Sequence, residues 1–197
     1  MKRFFTTRTI AGLGMLTAMV VALQLLSNYV QFGPVSITLA LFPIAVGAML
    51  FGPLGGLFLG LVDGAMVLLA PSTISVFFAF NPAGTIIVCL SKTGLAGLIA
   101  GVIYKLLQEK NYKVGIVLAS LSVPLINTGL FAVAGLTVFR PLLAGSVEGT
   151  NISIPYMLFI IWIGWNFFIE FGLNAAIAPA IFTSYKYIEK KVVGQQA

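Results

Sequence analysis

Long apolar runs, broken by short stretches rich in polar, glycine or proline residues, divide the chain into six segments: residues 9–26, 36–51, 53–70, 83–107, 114–139 and 154–185. Each is near the ~20 residues that a helix needs to cross a bilayer core of ~30 Å. Strict alternation of apolar and polar positions is missing, so the pattern predicts helices and no sheet. The Phe51-Gly52-Pro53 sequence marks the tightest turn. Pro53 suits the first turn of the third segment, where its missing N–H has no intrahelical partner to lose. The first segment follows three basic residues in the manner of a signal peptide. Its apolar core is too long for one, however, and no small-residue cleavage pattern follows Leu26, so a retained helix is expected.

Composition agrees with this pattern. Apolar residues make up 59% of the 197 and charged residues only 8%, too few to cover a soluble domain of this size, so lipid is the solvent for most of the surface. The length suits one membrane-embedded domain over residues 1–197. With no histidine and the single Cys89, histidine triads, histidine-ligated haem, most zinc sites and an internal disulfide are excluded. Neither a metal nor a cofactor is expected, and no hydrolase, metalloprotease or nucleotide-binding motif is present.

Charge then sets the orientation. Basic residues cluster at Lys2, Arg3 and Arg8, at Lys105, Lys110 and Lys113, and at Lys186, Lys190 and Lys191. With six crossings these clusters fall on one side, and the positive-inside rule makes that side, with both termini, cytoplasmic. The connections at 27–35, 71–82 and 140–151 then face outward and carry only Arg140 and Glu148. They are longer and more polar than the Gly52 turn, which points to a site opening outward. The net charge of +6 is placed at membrane edges rather than on an aromatic-interleaved face, so nucleic acid is not an expected partner.

Ionisable groups inside a bilayer cost about 2.5–3.5 kcal/mol each at its centre, and three fall within the segments: Asp63, Lys92 and Glu170. At ~1.5 Å per residue, Asp63 and Lys92 reach matching depth on consecutive segments, so they are expected to pair or to share one polar cavity. The last segment carries Trp162, Asn166, Glu170 and Asn174 four residues apart, a stripe that must face the interior because lipid cannot satisfy it. Trp165 offers a stacking surface and an N–H beside it. Asn127 follows Pro124 in the fifth segment, where a disturbed helix exposes extra backbone groups.

The first three segments are instead rich in small residues. Gly14, Ala18 and Ala22 form a small-x-x-x-small stripe, which packs either on a neighbouring segment or on a separate subunit; spacing alone favours the first. Gly56, Gly60 and Gly64 line one face of the third segment, a sign of a tight helix crossing or of a sliding surface.

The stretch LFPIAVGAMLFGPLGGLFLGLVDG (residues 41–64), with the first-segment stripe and the six-segment layout, resembles the substrate-binding S-components of energy-coupling factor (ECF) vitamin transporters. The resemblance implies a multi-pass subunit of a prokaryotic cell membrane, with no catalytic activity of its own. Such a subunit binds a vitamin near the outer face with its last three helices and topples to carry it inward. It also implies that the Ala18-x-x-x-Ala22 stripe, with Gly14, docks on a membrane coupling subunit shared with two ATPases. The 41–64 stretch is closest to the pantothenate branch. Lys92 or Arg140 would take the carboxylate, and Asn81, Asn127 and Asn166 its hydroxyls and amide, with Glu170 a further substrate-binding candidate. Riboflavin would call on Trp165 and the phenylalanines of 71–82, and folate on Arg140 with Lys92. A gradient-driven transporter relaying protons through Asp63 and Glu170, or a structural membrane subunit, are the readings that need no such family.

Overall fold

The structure is a computed structural model that describes residues 7–28, 31–32, 35–36 and 38–193. The basic residues Lys2 and Arg3 lie outside the described residues. Helix α1 spans Thr7–Ser27. A two-residue antiparallel pair follows, β1 (Gln31–Phe32) with β2 (Val35–Ser36), Gln31 facing Ser36. Helix α2 runs Leu41–Leu68, a π-helical turn covers Thr73–Phe78, and α3 runs Pro82–Leu136. Short α4 (Arg140–Val147) and α5 (Ile154–Tyr156) lead into a second π-helical turn, Met157–Trp162, and then α6, Gly164–Val193. The fold is an all-helical membrane bundle. Three described helices are long and apolar enough to cross a bilayer, and a fourth if the pair 154–162 and 164–178, bent by 41°, is one span.

Two of these helices are folded back on themselves. In α2 the break is at Gly52, whose φ of 76° lies in the left-handed region that glycine enters without steric cost. Gly47 consequently packs on the Leu59 side chain, although an unbroken helix would hold residues twelve apart by about 18 Å. In α3 the break is at Asn111, extended at φ −157° and ψ 94°. Its Oδ1 accepts from the N–H groups of Lys113 (3.2 Å) and Val114 (3.3 Å), capping the returning arm. Gly115 there rests against Tyr104 and Leu107 of the outgoing arm. The helix runs through Pro124 without a break, and Asn111 is its only non-helical residue.

Three boundaries differ from the sequence reading. The second segment begins at Leu41 rather than 36, because Val35 and Ser36 pair with β1. The stretches 71–82 and 140–151 are not open loops: most of each is helical. Their proline, serine and threonine residues look like turn signals, yet a helical backbone satisfies its own N–H and C=O groups where water is scarce.

The glycine face of α2 meets a matching face on α3. A Cβ on Gly56 would overlap the carbonyl of Gly97, one on Gly60 that of Thr93, and one on Gly64 would stand 2.6 Å from the Cys89 carbonyl. Gly101 closes the row against Pro53. Partner numbers fall as the α2 numbers rise, so the helices run antiparallel with backbones in contact over three turns. The register sets Asp63 at the level of Leu90 to Lys92.

Along the bundle the interior changes character twice. One apolar cluster holds Val20, Leu41, Ile44, Leu59, Ala96, Ile116, Val123 and Ala178. The other holds Phe77, Val88, Ala134, Phe139, Leu158, Trp162 and Ile163. Between them on each long element lies a buried polar position: Asp63 between Leu59 and Val67, Lys92 between Val88 and Ala96, Asn127 between Val123 and Ala134, and Asn166, Glu170 and Asn174 between Ile163 and Ala178.

Candidate functional site

Two narrow clefts open above this polar layer. The first is lined by Thr38, Thr73, Phe77, Thr85, Val88, Cys89, Lys92, Phe131 and Phe139, with Val67 and Ser72. The second is lined by Thr38, Lys92, Asn127, Thr128, Phe131, Trp162, Asn166 and Glu170, with Ile163 and Phe167. Thr38, Lys92 and Phe131 belong to both, so Lys92 stands at the junction.

Lys92 is 7% exposed, and its ammonium lies 5.9 Å from the centre of the Phe131 ring. A ring face attracts a desolvated cation by roughly 2 kcal/mol. Among the described residues no carboxylate comes within ion-pair distance of it. Glu170 is buried, and its Oε1 accepts the N–H of Thr38 at 2.7 Å, tying the strand-to-α2 connection to α6 across 132 residues of sequence. The Asn127 amide reaches the same carboxyl group. Asn166 and Asn174 each donate from Nδ2 to the carbonyl four residues back, Trp162 at 3.1 Å and Glu170 at 2.9 Å, which holds both side chains along the helix.

Aromatic rings roof the first cleft. Phe77 meets Phe131, Phe139 and Trp162 edge-on, at centroid separations of 5.8, 5.0 and 5.5 Å. Such edge-to-face contacts are worth about 0.5–1.5 kcal/mol each beyond the area they bury. Phe77 sits in the Thr73–Phe78 π turn, where one extra residue per turn changes which side chains face inward.

Of the residues singled out from sequence, the structure brings Lys92, Asn127, Asn166 and Glu170 to one cleft. It does not bring the other three there. The Asn81 side chain caps α3, accepting from Gly84 N–H at 2.9 Å. Arg140 is exposed at the start of α4. Trp165 is 71% exposed, because the bend between the π turn and α6 leaves it outside while Trp162 points in. Asp63 is fully buried at the level of Lys92 and feels its charge, but neither carboxylate oxygen has a hydrogen-bond partner, so the two form no direct pair.

Thr38, Thr73, Thr85, Phe131 and Phe139 had no sequence signal beyond being small polar or aromatic residues in apolar runs. Gly14, Ala18 and Ala22 are all exposed on α1, and a Cβ on Gly14 would meet nothing within 4 Å. The α1 face that packs inward carries Gly12, Leu16 and Val20 instead, with Gly12 on the Phe51 ring. Among the described residues nothing packs closely on this stripe, contrary to what spacing alone favours.

An all-helical membrane bundle with a polar, aromatic-roofed pocket between its last helices fits the expected family. A family model described as ECF transporter, substrate-specific component, matches residues 9–182. The chain belongs to that family. It is therefore a membrane-embedded substrate-binding subunit of an uptake system and not an enzyme. No curated protein and no solved structure matches it.

Proposed function

We propose that this ECF S-component captures pantothenate at the outer face of a prokaryotic cell membrane and delivers it inward with a coupling subunit and two ATPases. In this reading the chain crosses the bilayer six times, the α2 and α3 hairpins contributing two crossings each, with both termini cytoplasmic. The observation that carries the substrate choice is the Lys92 ammonium, buried where two clefts meet and without an ion-pair partner among the described residues. An ammonium so placed suits a single carboxylate. Asn127, Asn166 and the Glu170 carboxyl lie beside it to serve an amide and hydroxyl groups. The exposure of Trp165 and Arg140 takes away one of the stacking groups riboflavin would call on and the second cation folate would need, while Phe77 stays in the aromatic roof of the first cleft.

Thermal denaturation of the purified chain in detergent, against a panel of vitamins, tests this proposal. Pantothenate at 100 times its Kd is expected to add about 2.7 kcal/mol. A shift with riboflavin or folate alone would reassign the substrate, and no shift with any vitamin would favour a structural subunit.

The exposed Gly14/Ala18/Ala22 stripe supports docking of the coupling subunit, since small residues let a partner helix approach closely. Changing both Ala18 and Ala22 to tryptophan is expected to abolish co-purification with the coupling subunit while leaving the vitamin-induced thermal shift unchanged. Loss of both properties together would count against separate docking and binding faces.

A further inference from the structure

The polar layer beneath the clefts holds unequal numbers of opposite charges. Two carboxylates, Asp63 and Glu170, share it with one ammonium, Lys92. An uncompensated charge in a bilayer interior is costly, so a surplus carboxylate needs a positive partner. Glu170 has its own, in part: the Thr38 N–H at 2.7 Å and the Asn127 amide. Asp63 has none of this kind. It is fully buried, and both of its oxygens are without hydrogen-bond partners.

Its surroundings leave no hidden counter-charge among the described residues. From α3 it faces Lys92 and the neutral Cys89 thiol, and from α6 it faces Glu170. The described part of α1 carries one ionisable side chain, Arg8, at its far end, and the arm 41–51 of α2 carries none. The next residue, Gly64, packs against the Cys89 and Leu90 backbone, which holds the stretch of α2 that carries Asp63 close against α3.

We infer that Asp63 is a binding site for one monovalent cation, a proton or Na⁺, one helical turn along α2 from Val67, which lines the first cleft. The cation makes the layer neutral: two carboxylates, one ammonium, one added positive charge. The site is one of the chain without a vitamin, so it does not rest on the choice of substrate.

The test uses the full chain in detergent with no vitamin present. In one series Na⁺ is raised at fixed pH, with choline chloride holding ionic strength constant. In the other, pH is varied in choline chloride alone. A sodium site raises the thermal midpoint in the first series. A proton site raises it as pH falls and lowers it as pH rises, because the folded form then holds a proton that the unfolded form releases. Above the site's own Kd, each tenfold rise in the bound cation is expected to lift the midpoint by roughly 3–6 °C. Asp63→Asn is expected to flatten the responding series. Glu170→Gln flattens it too, since one carboxylate then faces one ammonium. A wild-type midpoint that responds in neither series overturns the inference without any variant, and a response that survives both substitutions overturns the assignment to this layer.

Discussion

Replacing Lys92 by glutamine is expected to weaken vitamin binding at least about thirtyfold. The ammonium is buried at the junction of both clefts, over Phe131, with no carboxylate among the described residues within ion-pair distance. Removing one member of a desolvated charge pair costs about 2–5 kcal/mol, or roughly 30-fold to several thousand-fold in Kd at 1.4 kcal/mol per decade. Glutamine keeps hydrogen-bonding capacity and most of the length, so the loss isolates the charge. Isothermal titration of the variant and of Lys105→Gln, which changes an exposed lysine at the α3 turn, gives the comparison. An unchanged Kd in Lys92→Gln would remove the anion-receptor role and with it the argument for a carboxylate-bearing vitamin.

Replacing Gly60 by valine is expected to destabilise the fold strongly, as is the same change at its row neighbours Gly56 and Gly97. A Cβ at this position overlaps the Thr93 carbonyl, and stands 2.7 Å from the Thr93 carbonyl carbon and 2.9 Å from the Gly94 Cα. These are backbone atoms, which cannot rotate away, so α2 and α3 would have to separate. Separation also opens the Gly56–Gly97 and Gly64–Cys89 contacts in the same row. Overpacking a core typically costs about 1–3 kcal/mol, and a clash against backbone belongs at or above the top of that range. Gly14→Val on α1 is the contrast: nothing lies within 4 Å, and losing a helical glycine removes a propensity cost of up to about 1 kcal/mol. Thermal midpoints in detergent should fall steeply for the first variant and hold or rise for the second. Equal midpoints would mean that the glycine row is not a tight crossing.

Much of the architecture was legible because a bilayer makes simple demands. Apolar runs of sufficient length, a Gly-Pro turn at residues 52–53 and basic residues near Lys105–Lys113 predict the two hairpins that the structure shows at Gly52 and Asn111. The four-residue spacing of Trp162, Asn166, Glu170 and Asn174 predicts one buried face, and all four are buried. A helix has one period, so spacing along it translates directly into a face.

The candidate site was legible only in part. Lys92, Asn127, Asn166 and Glu170 stood out because polar groups are rare in such runs, and they do converge. Asn81, Arg140 and Trp165 were singled out by the same rarity. Whether a polar group faces a ligand, caps a helix or meets the outside depends on how each connection folds. Asn81 caps α3, and Trp165 follows a bend between Trp162 and Gly164 that is marked only by one glycine, a residue that unbroken helices of this chain also contain. Thr38 enters the site through a backbone N–H, which every residue but proline possesses, so no side-chain pattern marks it.

By itself, the sequence determined that this chain lives in lipid, that it turns back near residues 52 and 111, and which helix faces are apolar, polar or smooth, because those follow from local composition and the helical period. Only the tertiary structure decided which smooth face is closed and which is open. The Gly56/Gly60/Gly64 row is spent on α3, while the Gly14/Ala18/Ala22 stripe, of the same spacing, faces outward. It also decided that the scattered polar residues form one layer between two apolar cores, with Asp63 left without a hydrogen-bond partner in it. Which surfaces meet depends on the register between helices far apart in sequence, and that register is set by packing the whole bundle at once.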